Sequence, residues 1–195
     1  MMKPFASPAI VKKMFQPTTS FSTNTRKSVV HLGHDWQVQQ TRGEGLKVLD
    51  DRVTSFLQNN LVLSKVESWA LGVDEQSKGE VVVSCKRWST ETVICAIQSA
   101  YFGDRLSAIN PELAQALVRF DSSTWRMFNH FPAFLTRKMD IEKARVVQSL
   151  REYFQTPPGK RPGKAWFVQT LEKQYRMLGF SDSEIASLVM FTYWG

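Results

Sequence analysis

From Asn110 to Gly195 the chain is punctuated as a succession of helices, and no other feature of the sequence restricts the fold as strongly. Asn110-Pro111-Glu112 is a start signal: an Asn side chain that accepts from a free backbone N–H, then Pro at the first helical position. The helix it opens carries Leu113, Leu117 and Phe120, and continues through Trp125 and Phe128 until Pro132 stops it. From Thr136 the residues Ile141, Ala144, Val147, Leu150 and Phe154 form an amphipathic stripe, ended by Pro157-Pro158-Gly159. A further helix spans about Lys164 to Leu178, with Phe167, Leu171, Tyr175 and Leu178 inward and Gly179 as its cap. Ser181-Asp182-Ser183-Glu184 is a capping box opening a last helix from Ile185.

The first half is less regular. Residues 1–30, rich in Ser, Thr, Pro and Lys, read as a loop-rich segment with at most one short helix. Asp35 to Leu61 reads as helix, with Leu46, Leu49, Val53, Phe56 and Leu57 recurring at three and four, split by Gly43 and Gly45. Gly72 to Gly79 is a polar linker, and Val81-Val82-Val83 is too short an apolar run to decide between strand and helix. A long helix follows from about Val82 to Phe102, with Ile94, Ile97 and Tyr101 on one face. The fold class expected is mainly α, with residues 31–195 as the helical domain.

Composition agrees with a packed interior: 43 % of the 195 residues are hydrophobic, 22 % are charged, and thirteen Phe and six Trp need a core. The net charge of +7 favours anionic partners without choosing among nucleic acid, membrane and protein. Cys85 and Cys95 lie ten positions apart on one helix, about 15 Å, beyond disulfide reach. Reduced, buried thiols and a cytoplasmic chain are expected, since no secretory leader or stretch of eighteen apolar residues is present.

Catalytic motifs are lacking. His31 and His34 have helical spacing but no third ligand, so no metal site is expected, and His130 reads as a helix-end residue. Arg42-Gly43-Glu44-Gly45 lacks the Lys and Ser/Thr of a phosphate loop, and no nucleophile elbow occurs. The basic clusters Arg137-Lys138, Lys143 with Arg145, and Lys160-Arg161 with Lys164 are interleaved with Asp140, Glu142 and Glu152. They read as solvated faces rather than a nucleic-acid surface.

A family comes into view from Trp88 onward. Ala100-Tyr101-Phe102-Gly103-Asp104 closes a long helix, and Asn110-Pro111-Glu112-Leu113 follows. Phe120-Asp121, Trp125 and Phe131-Pro132 come next, then Leu135-Thr136-Arg137-Lys138 and Leu150-Arg151-Glu152-Tyr153-Phe154. Leu178-Gly179-Phe180 leads through the capping box into Ile185-Ala186, and upstream Gly43 to Leu49 looks like a third lettered helix. In order and spacing, residues 31–195 resemble a cytochrome P-450, of the divergent fungal haem-thiolate type similar to sterol 7-alpha-hydroxylases and prostacyclin synthase. The resemblance implies helices C to H and the first turns of helix I, with residues 111–130 and 135–154 as the lid over a pocket for a hydrophobic small molecule. It also implies haem-dependent monooxygenase chemistry in fungal secondary-metabolite biosynthesis, at the endoplasmic reticulum membrane for intact members.

The family's Phe-x-x-Gly-x-x-x-Cys-x-Gly loop does not occur here, and Trp36 is followed four positions on by Gln40 where the family's propionate contact has Arg. Glu142-Lys143-Ala144-Arg145 matches the family's Glu-x-x-Arg pair only as an exposed ion pair one turn apart. The chain therefore reads as a truncated P-450-like protein, without catalytic, cofactor or metal residues and without haem of its own. The alternative is a non-catalytic helical protein that binds a ligand or a partner. Phe191, Tyr193 and Trp194, at the tip of the last helix, are expected to drive self-association.

Overall fold

The computed structural model describes residues 8–19, 26–62, 83–129 and 131–194. It is mainly helical, as the periodicity predicts. Among the described residues the helices are α1 (Pro8–Phe15), α2 (Val29–Gln40), α3 (Gly43–Asn60), α4 (Cys85–Phe102) and α5 (Asp104–Ile109). Then come α6 (Leu113–Phe128), α7 (Ala133–Gln155), α8 (Trp166–Met177) and α9 (Asp182–Trp194). Strands β1 (Pro17–Thr19) and β2 (Arg26–Ser28) pair antiparallel, with Pro17 opposite Ser28. The linker expected at Gly72 to Gly79, and most of the valine run before α4, lie outside the described residues.

The N-terminal segment is more ordered than a loop: it holds α1 and the β1–β2 pair. Helix α2 starts six residues before Asp35 because Ser28 caps it, its hydroxyl accepting from the His31 N–H at 3.5 Å. That start brings Val29 and Leu32 into the core beside Trp36. Elsewhere the punctuation holds. Asn110 Oδ1 accepts from the Glu112 N–H at 3.0 Å, and Gly179 caps α8 at φ +74°. Glu184 Oε2 accepts from the Ser181 N–H at 2.7 Å and hydroxyl at 2.8 Å, which completes the capping box.

Two inward faces differ from the sequence reading. On α4 the buried apolar positions are Ala96, Ala100 and Phe102, whereas Ile97 is exposed. Small residues let α4 approach α3, where Ala100 packs with Leu49 and Ala165, and the longer Ile97 is left outside that seam. On α7 the buried positions are Thr136, Met139, Val146, Ser149, Leu150, Tyr153 and Phe154, while Ile141 and Ala144 face outward. A helix with neighbours on two sides buries two stripes, and α7 is packed by both α6 and α9.

One junction ties the layers together. Gly103 sits at φ +68° between α4 and α5, and a Cβ there would stand 2.3 Å from the Pro162 carbonyl oxygen. Only glycine fits so close an approach of two backbones. Around it the Ala165 N–H donates to the Tyr101 carbonyl at 2.7 Å, and the Tyr153 hydroxyl to the Phe102 carbonyl at 3.1 Å. Arg52 of α3 donates to the Ala100 carbonyl at 2.9 Å and to that of Gly163.

Candidate functional site

The α6–α7 hairpin and α9 contribute to the main apolar core. Leu113, Ala116, Leu117 and Phe120 of α6 share one core with Met139, Val146, Leu150 and Phe154 of α7. In α9, Ile185, Ala186, Leu188, Val189 and Met190 are all buried in the same core. At 100° per residue those five positions span about 200° of the helix circumference, so α9 buries a broad face. The turn of the hairpin is built differently. Phe134 is 77 % exposed and Trp125 50 %, with Leu135 beside them. Arg126 fixes this tip, donating to the Leu135 carbonyl at 3.1 Å and lying 5.5 Å from the Trp125 ring. The apolar patch described here thus sits at the α6–α7 turn; the side chains of Phe191, Tyr193 and Trp194, where one was expected, lie outside the described ones.

Cys85 is exposed in the first turn of α4, a correction to the expectation that both thiols are buried. Its burial was inferred from residue type, but the seam of α4 runs through its later turns, and the first turn projects beyond it. Cys95 is partly buried, and that burial, followed by the Glu91 charge, pushes its thiol pKa up. Gln40, four residues after the buried Trp36, is already engaged: its Oε1 accepts from the Phe167 N–H at 3.0 Å and its Nε2 donates to the Gly45 carbonyl at 2.9 Å. Gln40 thereby fastens the start of α8 to α2 and α3.

The other candidates have structural partners. Glu142 pairs with Arg145 at 3.5 Å, as the spacing suggests, and also with Arg119 of α6 at 3.1 Å across the hairpin. His31 and His34 lie on α2, both exposed, with His31 Nδ1 2.6 Å from the Ser28 hydroxyl. His130 lies outside the described residues. Among the described residues no three His, Cys, Asp or Glu side chains group as metal ligands, and no helix is long and apolar enough to cross a membrane.

Sequence reasoning missed a polar cluster beneath α8. Arg161 is fully buried, its guanidinium 4.7 Å from the Tyr153 ring and 5.7 Å from that of Phe154. Arg161 Nη2 donates to Glu172 Oε1 at 2.8 Å, and Arg176 donates to the same oxygen at 3.0 Å. Arg176 also donates to the Phe154 carbonyl at 2.8 Å and pairs with Asp182 at 2.8 Å, so the cluster joins α7, α8 and the start of α9. Burial opposes the charge on Arg176, but Glu172 and then Asp182 outweigh it and hold its pKa above the usual value. No family model, curated protein or solved structure matches this chain. The burial of Arg161 takes it out of the basic loop cluster and leaves Lys160 and Lys164 there. Arg137 and Lys138 remain exposed, whereas burial lowers the pKa of Lys143.

Proposed function

We propose that this chain is a P-450-like helical protein that contributes a lid hairpin and a central helix, and oxidises no substrate through its own residues. The observation that carries this reading is α9, whose broad buried apolar face packs against α7 of the hairpin and shares one core with α6. A P-450-like fold has its long central helix and its lid in that relation. The ligand class that follows is a hydrophobic small molecule of the kind oxidised in fungal secondary metabolism. Neither Cys85 nor Cys95 has the Phe-x-x-Gly-x-x-x-Cys-x-Gly context of the family's thiolate ligand, and on this reading neither serves as one.

Two measurements test the proposal. The purified chain, mixed with haem and dithionite under carbon monoxide, is expected to lack the absorbance near 450 nm that marks thiolate ligation. Such a band would overturn the non-catalytic part. The coding region beyond Gly195 is expected to encode a Glu-x-x-Arg helix and a cysteine loop with the family's spacing. Their absence there would remove the P-450 part. A second reading, a helical protein that binds a partner through the hairpin tip, is favoured by the exposed Trp125 and Phe134, and it gains if both motifs are missing.

A further inference from the structure

The turn between α6 and α7 holds aromatic surface and unpaired positive charge side by side. Phe134 is 77 % exposed, Trp125 50 % and Leu135 41 %. The Phe131 ring meets the Trp125 ring edge-on, with centroids 5.2 Å apart, and the Arg126 guanidinium stands 5.5 Å from the same indole. Arg126 Nη1 also donates to the Leu135 carbonyl, which ties the end of α6 to the start of α7. The exposed half of Trp125 is thus held in one orientation before anything docks on it. A turn further on, Arg137 and Lys138 are exposed, and among the described residues neither pairs with a carboxylate. The nearest acids along the two helices, Asp121 and Asp140, are set back from Trp125 and Phe134 by about 6 and 9 Å of helix.

We propose that this tip docks an acidic segment of a partner protein, its apolar side chains on Trp125 and Phe134 and its carboxylates on Arg137 and Lys138. The inference deepens the partner-binding reading of the hairpin and rests on it. A rigid aromatic anchor beside arginine is the composition of strong protein contacts. Charge complementarity sets the sign of the partner, because Arg137 and Lys138 find no counter-charge on their own chain. A second copy of this chain fits poorly, since it would bring the same cations face to face. A bilayer fits less well than a protein for a different reason. As Trp125 entered the lipid, Arg126, fixed to the Leu135 carbonyl, could not swing its charge back to the headgroups. In a protein contact the same guanidinium keeps its carbonyl and adds a further hydrogen bond to the partner.

Phage-displayed dodecapeptides selected on the whole chain at low salt test it. The enriched sequences are expected to carry Asp or Glu beside Leu, Ile, Phe or Trp. The Kd of the tightest of them, made as a free peptide and followed by fluorescence anisotropy, is expected to rise about tenfold when Arg137→Glu and Lys138→Glu are combined, through loss of two exposed charge contacts. Phe134→Ser should raise it at least as much. Met177→Ser, which alters an exposed apolar side chain of α8, should leave it unchanged, and circular dichroism verifies that each variant is folded. Enriched peptides without acids that still lose binding with Phe134→Ser overturn the acidic partner but keep a partner at the tip. Enrichment indifferent to Phe134→Ser, or no enrichment, overturns both. Sedimentation with vesicles of equal parts phosphatidylcholine and phosphatidylserine, abolished by Phe134→Ser, overturns the proposal in favour of a bilayer.

Discussion

Replacing Glu172 by Gln removes the one carboxylate that hydrogen-bonds Arg161, and the structure fixes what that should cost. Arg161 has no exposed side-chain surface and Glu172 has 6 %, so water cannot replace the lost charge. Breaking a buried ion pair from one side costs about 3–5 kcal/mol. The Tyr153 and Phe154 rings beside the guanidinium offset part of this, which places the expected loss near 3 kcal/mol. For a chain of this length that is a fall of roughly 6–12 °C in Tm. Arg161→Met should cost far less, because Glu172 keeps Arg176 at 3.0 Å and Met fills most of the volume. The double variant should then recover most of the loss caused by Glu172→Gln. Urea unfolding of all four proteins, followed by circular dichroism, measures the cycle. A Glu172→Gln protein within about 0.5 kcal/mol of the unaltered chain, well below the buried-pair range, would refute the argument, as would a double variant no more stable than Glu172→Gln alone.

Iodoacetamide at pH 8 should label exposed Cys85 well before Cys95, as peptide mass mapping would show; equal rates would contradict the burial of Cys95. Since the folded pKa of Cys95 lies above its unfolded value, its contribution to stability is complete below about pH 9 and declines as pH rises past that point. Gly103→Ala should destabilise by about 2 kcal/mol or more through positive φ and the clash with the Pro162 carbonyl, and a Tm unchanged by it would show that the junction is loose. The Ser181 N–H and hydroxyl hold the pKa of Glu184 below its ordinary value, so its contribution is present above about pH 4.5 and fades as pH falls through the folded value. Glu184→Gln should therefore cost roughly 0.5 kcal/mol at pH 7 and almost nothing near pH 3, a difference readable from paired melting curves.

What the sequence made legible is what local chemistry decides. Asn110, the Pro157-Pro158-Gly159 stop, Gly179 and the Ser181–Glu184 box act within a few residues of themselves, and each falls where its chemistry placed it. The inward faces of α4 and α7 were less legible, because a stripe of large apolar residues assumes one neighbour while these helices have several. Short strands such as Pro17–Thr19 and Arg26–Ser28 are stabilised by each other and carry no apolar alternation. Arg161 was the least legible residue. Lys160-Arg161-Pro162-Gly163-Lys164 reads as a basic loop, and only Glu172, Tyr153 and Phe154, brought together by the fold, make an interior place for it.

The bond from the Phe167 N–H to Gln40 spans 127 positions of sequence. Its consequence concerns birth on the ribosome rather than the finished molecule. Helix α2 emerges with Val29, Leu32 and Trp36 ready for burial, yet α8, which packs on it, is still untranslated. At about 5–20 residues per second that interval lasts roughly 6–25 s, far longer than a helix or a hairpin needs to form. Nascent chains halted before Trp166 should leave α2 open to protease and chaperone, and chains extended past Met177 should protect it. Helix α2, made early, thus waits for a partner made near the end.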